Sequence, residues 1–142
     1  MIIKRFIILP AFIFLLVSIA GGANAASPRQ AILDEFSAQA RQADQNFKNF
    51  SAKRGQELFL SKHSGGKKAT PGCTTCHTKS PLNVGKTRAG KAIDPMAVSR
   101  TPTRYTDAKK VAKWFRRNCK SVLGRECTAK EKGDYITFMI SQ

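Results

Sequence analysis

Cys73, Cys76 and His77 are the residues whose types and spacing can do chemistry together, in the run Cys73-Thr74-Thr75-Cys76-His77. C-x-x-C-H is the attachment pattern of c-type haem. Two thiols on one helical turn reach the two vinyl groups of one porphyrin, and the imidazole that follows falls under the iron as proximal ligand. The rival readings need company. A zinc site requires further ligands, and outside the motif the chain offers only His63, Cys119 and Cys127. A thioredoxin-like dithiol requires a βαβ setting, which the flanking sequence does not provide. The motif therefore implies one covalently held haem c and its iron.

Covalent haem attachment suits an exported chain, and the N-terminus reads as an export signal. Lys4 and Arg5 supply a positive start, Phe6–Ala20 is an apolar run of 15 residues interrupted by Pro10, and Ala23-Asn24-Ala25 is a small-residue cleavage site. The run is short of the roughly 20 apolar residues that a membrane span needs. Residues 1–25 are thus expected to be a cleaved signal peptide, leaving 117 residues from Ala26 as one domain with no membrane span, in a periplasm.

Charge narrows the partners. Loss of Lys4 and Arg5 reduces 25 basic residues to 23 against 9 acidic ones, a net charge of +14. Export argues against nucleic acid, and no basic run is interleaved with stacking aromatics. An acidic redox partner fits, because charge complementarity accelerates encounter; a generally basic, soluble surface fits as well.

The elements that must position the motif can be read from caps and periodicity. Ser27-Pro28 is an N-cap followed by proline at the first helical position. Ile32, Leu33, Phe36, Ala40, Ala43 and Phe47 then recur at helical spacing, so residues 26–50 are expected to be a helical extension packed on a domain of residues 51–142. Ser51 could cap a second helix in which Gly55 marks the close approach of another helix near the C-terminus. From Ser80 to Tyr105 periodicity disappears among Pro81, Gly85, Gly90, Pro95 and Pro102, which reads as irregular loop around a cofactor. Arg88, Lys91, Arg100 and Arg104 in that stretch are candidates to neutralise haem propionates.

A helix starting at Thr106 or Asp107 is expected to run to Cys119, with Val111, Trp114, Phe115 and Asn118 on one stripe. An asparagine ending an apolar stripe either caps the helix or has a buried partner, since burying a bare amide costs about 1–3 kcal/mol. Cys119 and Cys127 are left over from the haem motif, and an even remainder in an exported chain suggests a disulfide. Thr128-Ala129-Lys130-Glu131 is a capping box opening a last helix with Tyr135, Ile136, Phe138, Met139 and Ile140.

The occupant of the sixth iron position separates an electron carrier from a gas-binding protein. Met139 reads as core, Met96 lies in the loop 19 residues after His77, and His63 precedes the motif by ten residues. Asn118 lies 41 residues beyond His77, beside Cys119. A neutral amide is a weak, hard ligand, tolerable for ferric and poor for ferrous iron. Two functions therefore stand: a high-spin haem protein open to a diatomic ligand, or a low-spin carrier with Met96 as ligand. No acid, base or oxyanion group is placed so as to argue for turnover chemistry.

From Arg54 onward the chain resembles the sphaeroides haem protein (SHP) family of oxygen-binding class I cytochromes c. The resemblance rests on Arg54-Gly55, Leu58-Phe59-Leu60-Ser61, Gly65-Gly66-Lys67, Cys73-Thr74-Thr75-Cys76-His77, Thr87-Arg88, Gly90-Lys91, Arg117-Asn118-Cys119, Ser121-Val122, Gly124-Arg125, Cys127-Thr128 and Glu131-Lys132. It covers about 89 of the 117 residues after the signal. It implies an all-α, cytochrome c-like domain around one haem and a Cys119–Cys127 disulfide. It also implies that Asn118 is the distal ligand, that the iron is high-spin, and that O2 or NO binds transiently. Electrons would come from a dihaem cytochrome c. Trp114, Arg88 and Lys91 are the further candidates for contact with the cofactor. Met96 departs from the leucine of the family's loop.

Overall fold

Capping chemistry sets where the helices begin. In a computed structural model, which describes residues 26–142, five helices and one short strand pair follow in order: α1 (Pro28–Ala43), α2 (Ala52–Leu60), α3 (Thr74–His77), β1 (Gly85–Lys86), β2 (Ala92–Ile93), α4 (Ala108–Leu123) and α5 (Ala129–Ile140). The oxygens of Ser27, Ser51, Asp107 and Thr128 each accept the backbone N–H three residues on, and Glu131 closes the reciprocal bond of the capping box. The export signal expected over residues 1–25 lies outside the described residues. No helix among those described is long and apolar enough to cross a membrane.

Two expectations about boundaries are corrected. Helix α1 stops at Ala43, where the N–H of Asp44 bonds to Ala40, and Phe47 lies beyond a turn with its ring 5.1 Å from that of Phe50. The helical spacing of Phe47 thus reflects burial in a turn. Helix α4 runs past Cys119 to Leu123 and ends on Gly124 at φ 75°, the left-handed cap position. Asn118 therefore lies within the helix and caps nothing. The stretch between residues 80 and 105 is mostly irregular but contains an antiparallel ladder pairing Gly85 with Ile93 and Lys86 with Ala92.

The core has two clusters. Ile32 and Phe36 from α1 meet Val111 of α4 and Ile136 of α5; Phe59 of α2 and Met96 of the loop meet Phe138 and Met139. Tyr105 and Tyr135 pack against both clusters, their rings 6.2 Å apart. Each fully buried large side chain, such as Phe59 or Met139, contributes about 1.5–3 kcal/mol by leaving water.

Helices α2 and α5 cross at Gly55, where a Cβ would strike the backbone of Asp134 and sit 2.8 Å from the Cβ of Phe138. Beside the crossing, the buried carboxylate of Asp134 accepts from Arg54 at 2.7 and 2.8 Å and from the Ser51 N–H at 2.7 Å. The pair joins the first turn of α2 to the middle of α5 where side chains cannot intervene.

Helix α1 also organises the loop. The Arg29 guanidinium donates to the carbonyls of Pro102 and Arg104, at 2.5 and 2.9 Å. Arg104 in turn donates to Pro95 and Asp94, at 3.1 and 2.6 Å. Two arginines thus replace secondary structure over residues 94–104.

Gly55→Ala is expected to lower stability by about 1–3 kcal/mol, the usual cost of overpacking. Urea unfolding of the haem-loaded protein, read as a lower midpoint at unchanged slope, checks this.

Candidate functional site

The single turn of α3 brings the motif together. The N–H of Cys76 and that of His77 both bond to the Cys73 carbonyl, at 3.2 and 3.1 Å. The turn cannot continue, because Thr78 adopts φ 61° and its hydroxyl bonds to the Ser80 carbonyl at 2.8 Å. A threonine in the left-handed region stores on the order of 1–3 kcal/mol, a cost characteristic of functional sites. The other residue of this kind is Tyr105, also at φ 61°, whose hydroxyl donates to the Met96 carbonyl at 3.2 Å.

Burial tunes the donor atoms. It lowers the pKa of His77 to about 4, with the positive charge of Arg104 adding to the effect. The imidazole is therefore neutral near pH 7, the form that binds metals. Its Nδ1 is buried without a hydrogen-bond partner. Burial raises the Cys73 thiol to about 11, offset in part by a backbone hydrogen bond. A redox dithiol needs the opposite shift. Cys73 and Cys76 are both unbonded thiols, and Cys119 and Cys127, which a zinc site would need, are bonded to each other with Cα atoms 5.6 Å apart. Among the described residues no three His, Cys, Asp or Glu side chains form a metal cluster. Two free thiols and a neutral imidazole on one turn fit a tethered porphyrin with nitrogen ligation.

Helix α4 is tied to the loop that leads into this turn mainly by close backbone packing. Gly65 and Gly66 lie against the carbonyls of Ser121, Val122 and Leu123, where any Cβ would collide, and Gly124 faces the carbonyl of Gly65. The Lys67 N–H bonds to Ser121 at 2.8 Å, and the Thr70 hydroxyl meets that of Ser121 at 2.9 Å. The loop then runs through Pro71 and Gly72 directly into Cys73.

The candidates for the sixth ligand sit in different settings. Met96 is buried with Phe59, Phe138 and Met139, and its N–H bonds to the Pro81 carbonyl at 2.8 Å. Met139 is fully buried in the same cluster. His63 has Nε2 3.3 Å from the Leu58 carbonyl, and its backbone N–H bonds to Pro71 at 2.6 Å. Asn118 is exposed on α4, and its amide makes no hydrogen bond among the described residues. One turn earlier, Trp114 is 51% exposed, with Lys113 and Arg117 cations 5.9 and 5.4 Å from its ring.

The basic candidates divide in the same way. Arg88 and Lys91 are exposed at the turn of the β1–β2 hairpin, where the N–H of Lys91 bonds to the Thr87 hydroxyl at 3.0 Å. Arg100 is exposed, whereas Arg104 is committed to the loop carbonyls. Arg29, Arg104 and Asp134 were not identified as structural from sequence. Their partners lie up to 83 positions away or are loop carbonyls, and no local pattern marks either.

Comparison with known proteins gives concordant findings. The family described as a domain of unknown function (DUF1924) matches residues 45–139. The chain is 45% identical over 133 residues to the cytochrome c-type protein SHP of Cereibacter sphaeroides, covering 92% of this chain and 98% of that one. It is 38% identical over 82 residues to cytochrome c'' of Methylophilus methylotrophus, 57% of this chain and 56% of that one. The structure of oxidised SHP, an oxygen-binding cytochrome c, superposes with a TM-score of 0.75 at 42% identity, covering 83% of this chain and all of that one. Oxidised cytochrome c'' superposes with a TM-score of 0.69 at 30% identity, over 81% of this chain and 94% of that one.

Replacing Cys119 and Cys127 together by serine should cost about 2–3 kcal/mol, from the entropy of the short loop they close. Thermal unfolding of the haem-loaded double variant, against the parent with and without reductant, measures it.

Proposed function

The chain belongs to the SHP family of c-type cytochromes, proteins that carry haem c, and from that premise we propose that it is an exported, high-spin electron acceptor that transiently binds a diatomic gas. When bound, the haem supplies an iron that changes oxidation state by one electron and has one coordination position to spare.

Cys73 and Cys76 hold the porphyrin by both edges, and His77, kept neutral by burial, ligates from one side. Asn118 would supply a second, weak ligand to the iron, with Trp114 one turn earlier on the same helix in contact with the cofactor. Arg88 and Lys91 neutralise propionates from the hairpin turn, where both are exposed. The observation that carries the proposal is the uncommitted Asn118 amide, in contrast to its rivals. Met96 and Met139 are packed among aromatic rings, and His63 faces a helix carbonyl. A methionine ligand would have to leave a core that it helps to fill, at a cost of about 2–5 kcal/mol.

An amide ligand matches a gas-binding role. It is hard enough to rest on ferric iron and too weak to hold ferrous iron against O2 or NO. The related SHP is an oxygen-binding cytochrome c, which supports O2 as a ligand. The cleavable N-terminus read from the sequence, the disulfide and the covalent haem together support a periplasmic location. The basic surface supports a donor with an acidic face, such as a dihaem cytochrome c.

The ferric protein should show a high-spin spectrum without the far-red methionine-to-iron charge-transfer band. Asn118→Ala should raise the ferric protein's affinity for an added ligand such as azide about tenfold if the amide covers ferric iron nine-tenths of the time, and Met96→Leu should leave the spectrum unchanged. A low-spin spectrum whose methionine band disappears in Met96→Leu would instead establish an ordinary electron carrier.

A further inference from the structure

Helix α4 has three faces, and the fold and the site account for two of them. Val111, Phe115, Cys119 and Val122 turn to the core, and Trp114 and Asn118 form the flank assigned above to the site. The third face carries Lys109, Lys113, Arg116 and Lys120, at positions i, i+4, i+7 and i+11, all exposed. This spacing aligns four cations in a ridge roughly 16 Å long at the helical rise.

The ridge is not tied up in ion pairs. Between Ala108 and Leu123 the helix contains no acidic residue. Among the described residues the salt bridges are Arg54–Asp134, Lys110–Asp107 and Arg125–Glu131, and none uses a ridge residue. Holding four like charges on one helix face is mildly destabilising at each i, i+4 step, so the arrangement does not serve the stability of the helix. Beside it is an open groove lined by Glu35 and Phe36 of α1, Lys109, Lys113 and Arg116 of α4, and Glu126 of the segment that follows.

We propose that this cationic ridge, with the mixed-charge groove at its edge, is the docking surface for an acidic electron-donor protein. The proposal rests on the electron-accepting role given above and assigns it a place. A protein occupant is favoured over an anionic membrane for two reasons. The four ridge positions are all cationic and give no apolar side chain to insert among lipid chains, and the one large exposed apolar residue of α4, Trp114, lies on the flank assigned to the site. The flanking Glu35 and Glu126 would repel a uniformly anionic bilayer, whereas a protein surface can meet them with cations of its own. One electron leaves the donor and reduces ferric to ferrous iron, with no bond made or broken. Docking on α4 places the donor on the helix that also carries Asn118, about one helix diameter, ~10–12 Å, from that flank.

The test uses haem-loaded protein and reduced flavodoxin, a strongly acidic one-electron donor, in stopped flow at an ionic strength of ~0.01 M, where the screening length is about 30 Å. A variant with Lys109→Glu, Lys113→Glu, Arg116→Glu and Lys120→Glu is compared with one carrying Lys48→Glu, Lys53→Glu, Lys62→Glu and Lys130→Glu, which changes net charge equally on other surfaces. The ridge variant should be reduced about tenfold or more slowly than the control, with a flatter salt dependence. Glutamine at the four ridge positions should lie in between, and it stands in for the glutamate variant if that one fails to fold. Equal slowing in both variants would overturn the proposal in favour of bulk charge. Unchanged rates, with co-sedimentation on vesicles containing anionic phospholipid lost in the ridge variant, would overturn it in favour of a membrane. The ferric spectrum and carbon monoxide binding are read on the same samples. A low-spin, methionine-ligated parent would defeat the gas-binding reading while leaving the ridge result to stand.

Discussion

Between residues 65 and 67 the polypeptide backbone lies directly on the last turn of α4, with glycines on both sides of the contact and no side chain between them. That contact leaves no room for a side chain, since an added Cβ at Gly65, Gly66 or Gly124 would strike backbone. Lys67 and Thr70 bond to Ser121, and a few residues later the same loop enters Cys73 and His77. The disulfide from Cys119 to Cys127 then fixes the other side of the turn to the start of α5. The haem motif and helix α4 are thereby held in one frame that needs no large core between them. This suits a small domain whose hydrophobic centre is shared with a cofactor.

A second constraint acts on the loop from residue 80 to 105. A stretch this long without regular structure satisfies its carbonyls by other means. Pro81 accepts from Met96 and Ala97, and Arg29 and Arg104 gather carbonyls of Asp94, Pro95, Pro102 and Arg104. Helix α1 is thus both packing surface and clamp. Its Ile32 and Phe36 enter the core, while its first turn holds the loop that buries Met96. The same Arg104 adds, through its charge, to the lowering of the His77 pKa that burial causes, which links the clamp to the motif.

Local signals made much of this legible. The haem motif, the caps at Ser27, Ser51, Asp107 and Thr128, and the close approach at Gly55 can each be read within a few residues of sequence, because each depends on one turn of chain or on one missing side chain. The end of α4 is not legible in its stripe, for a physical reason: the apolar stripe ends at Asn118, yet the helix continues until Gly124 supplies the left-handed cap. That glycine, directly after Leu123, was the available signal. The end of α1 was blurred because Phe47, buried in a turn, keeps helical spacing by coincidence. The Arg29, Arg104 and Asp134 contacts were illegible for another reason: hydrogen bonds to distant carbonyls or carboxylates leave no periodic trace.

The central claim is that an amide from α4, and not a thioether from the loop, stands opposite His77. Extended X-ray absorption at the iron K-edge of the ferric, haem-loaded protein tests it directly, because sulfur and nitrogen or oxygen scatter differently at axial distance. The account predicts only nitrogen or oxygen neighbours around the iron. An axial iron–sulfur distance that vanishes in Met96→Leu would contradict it.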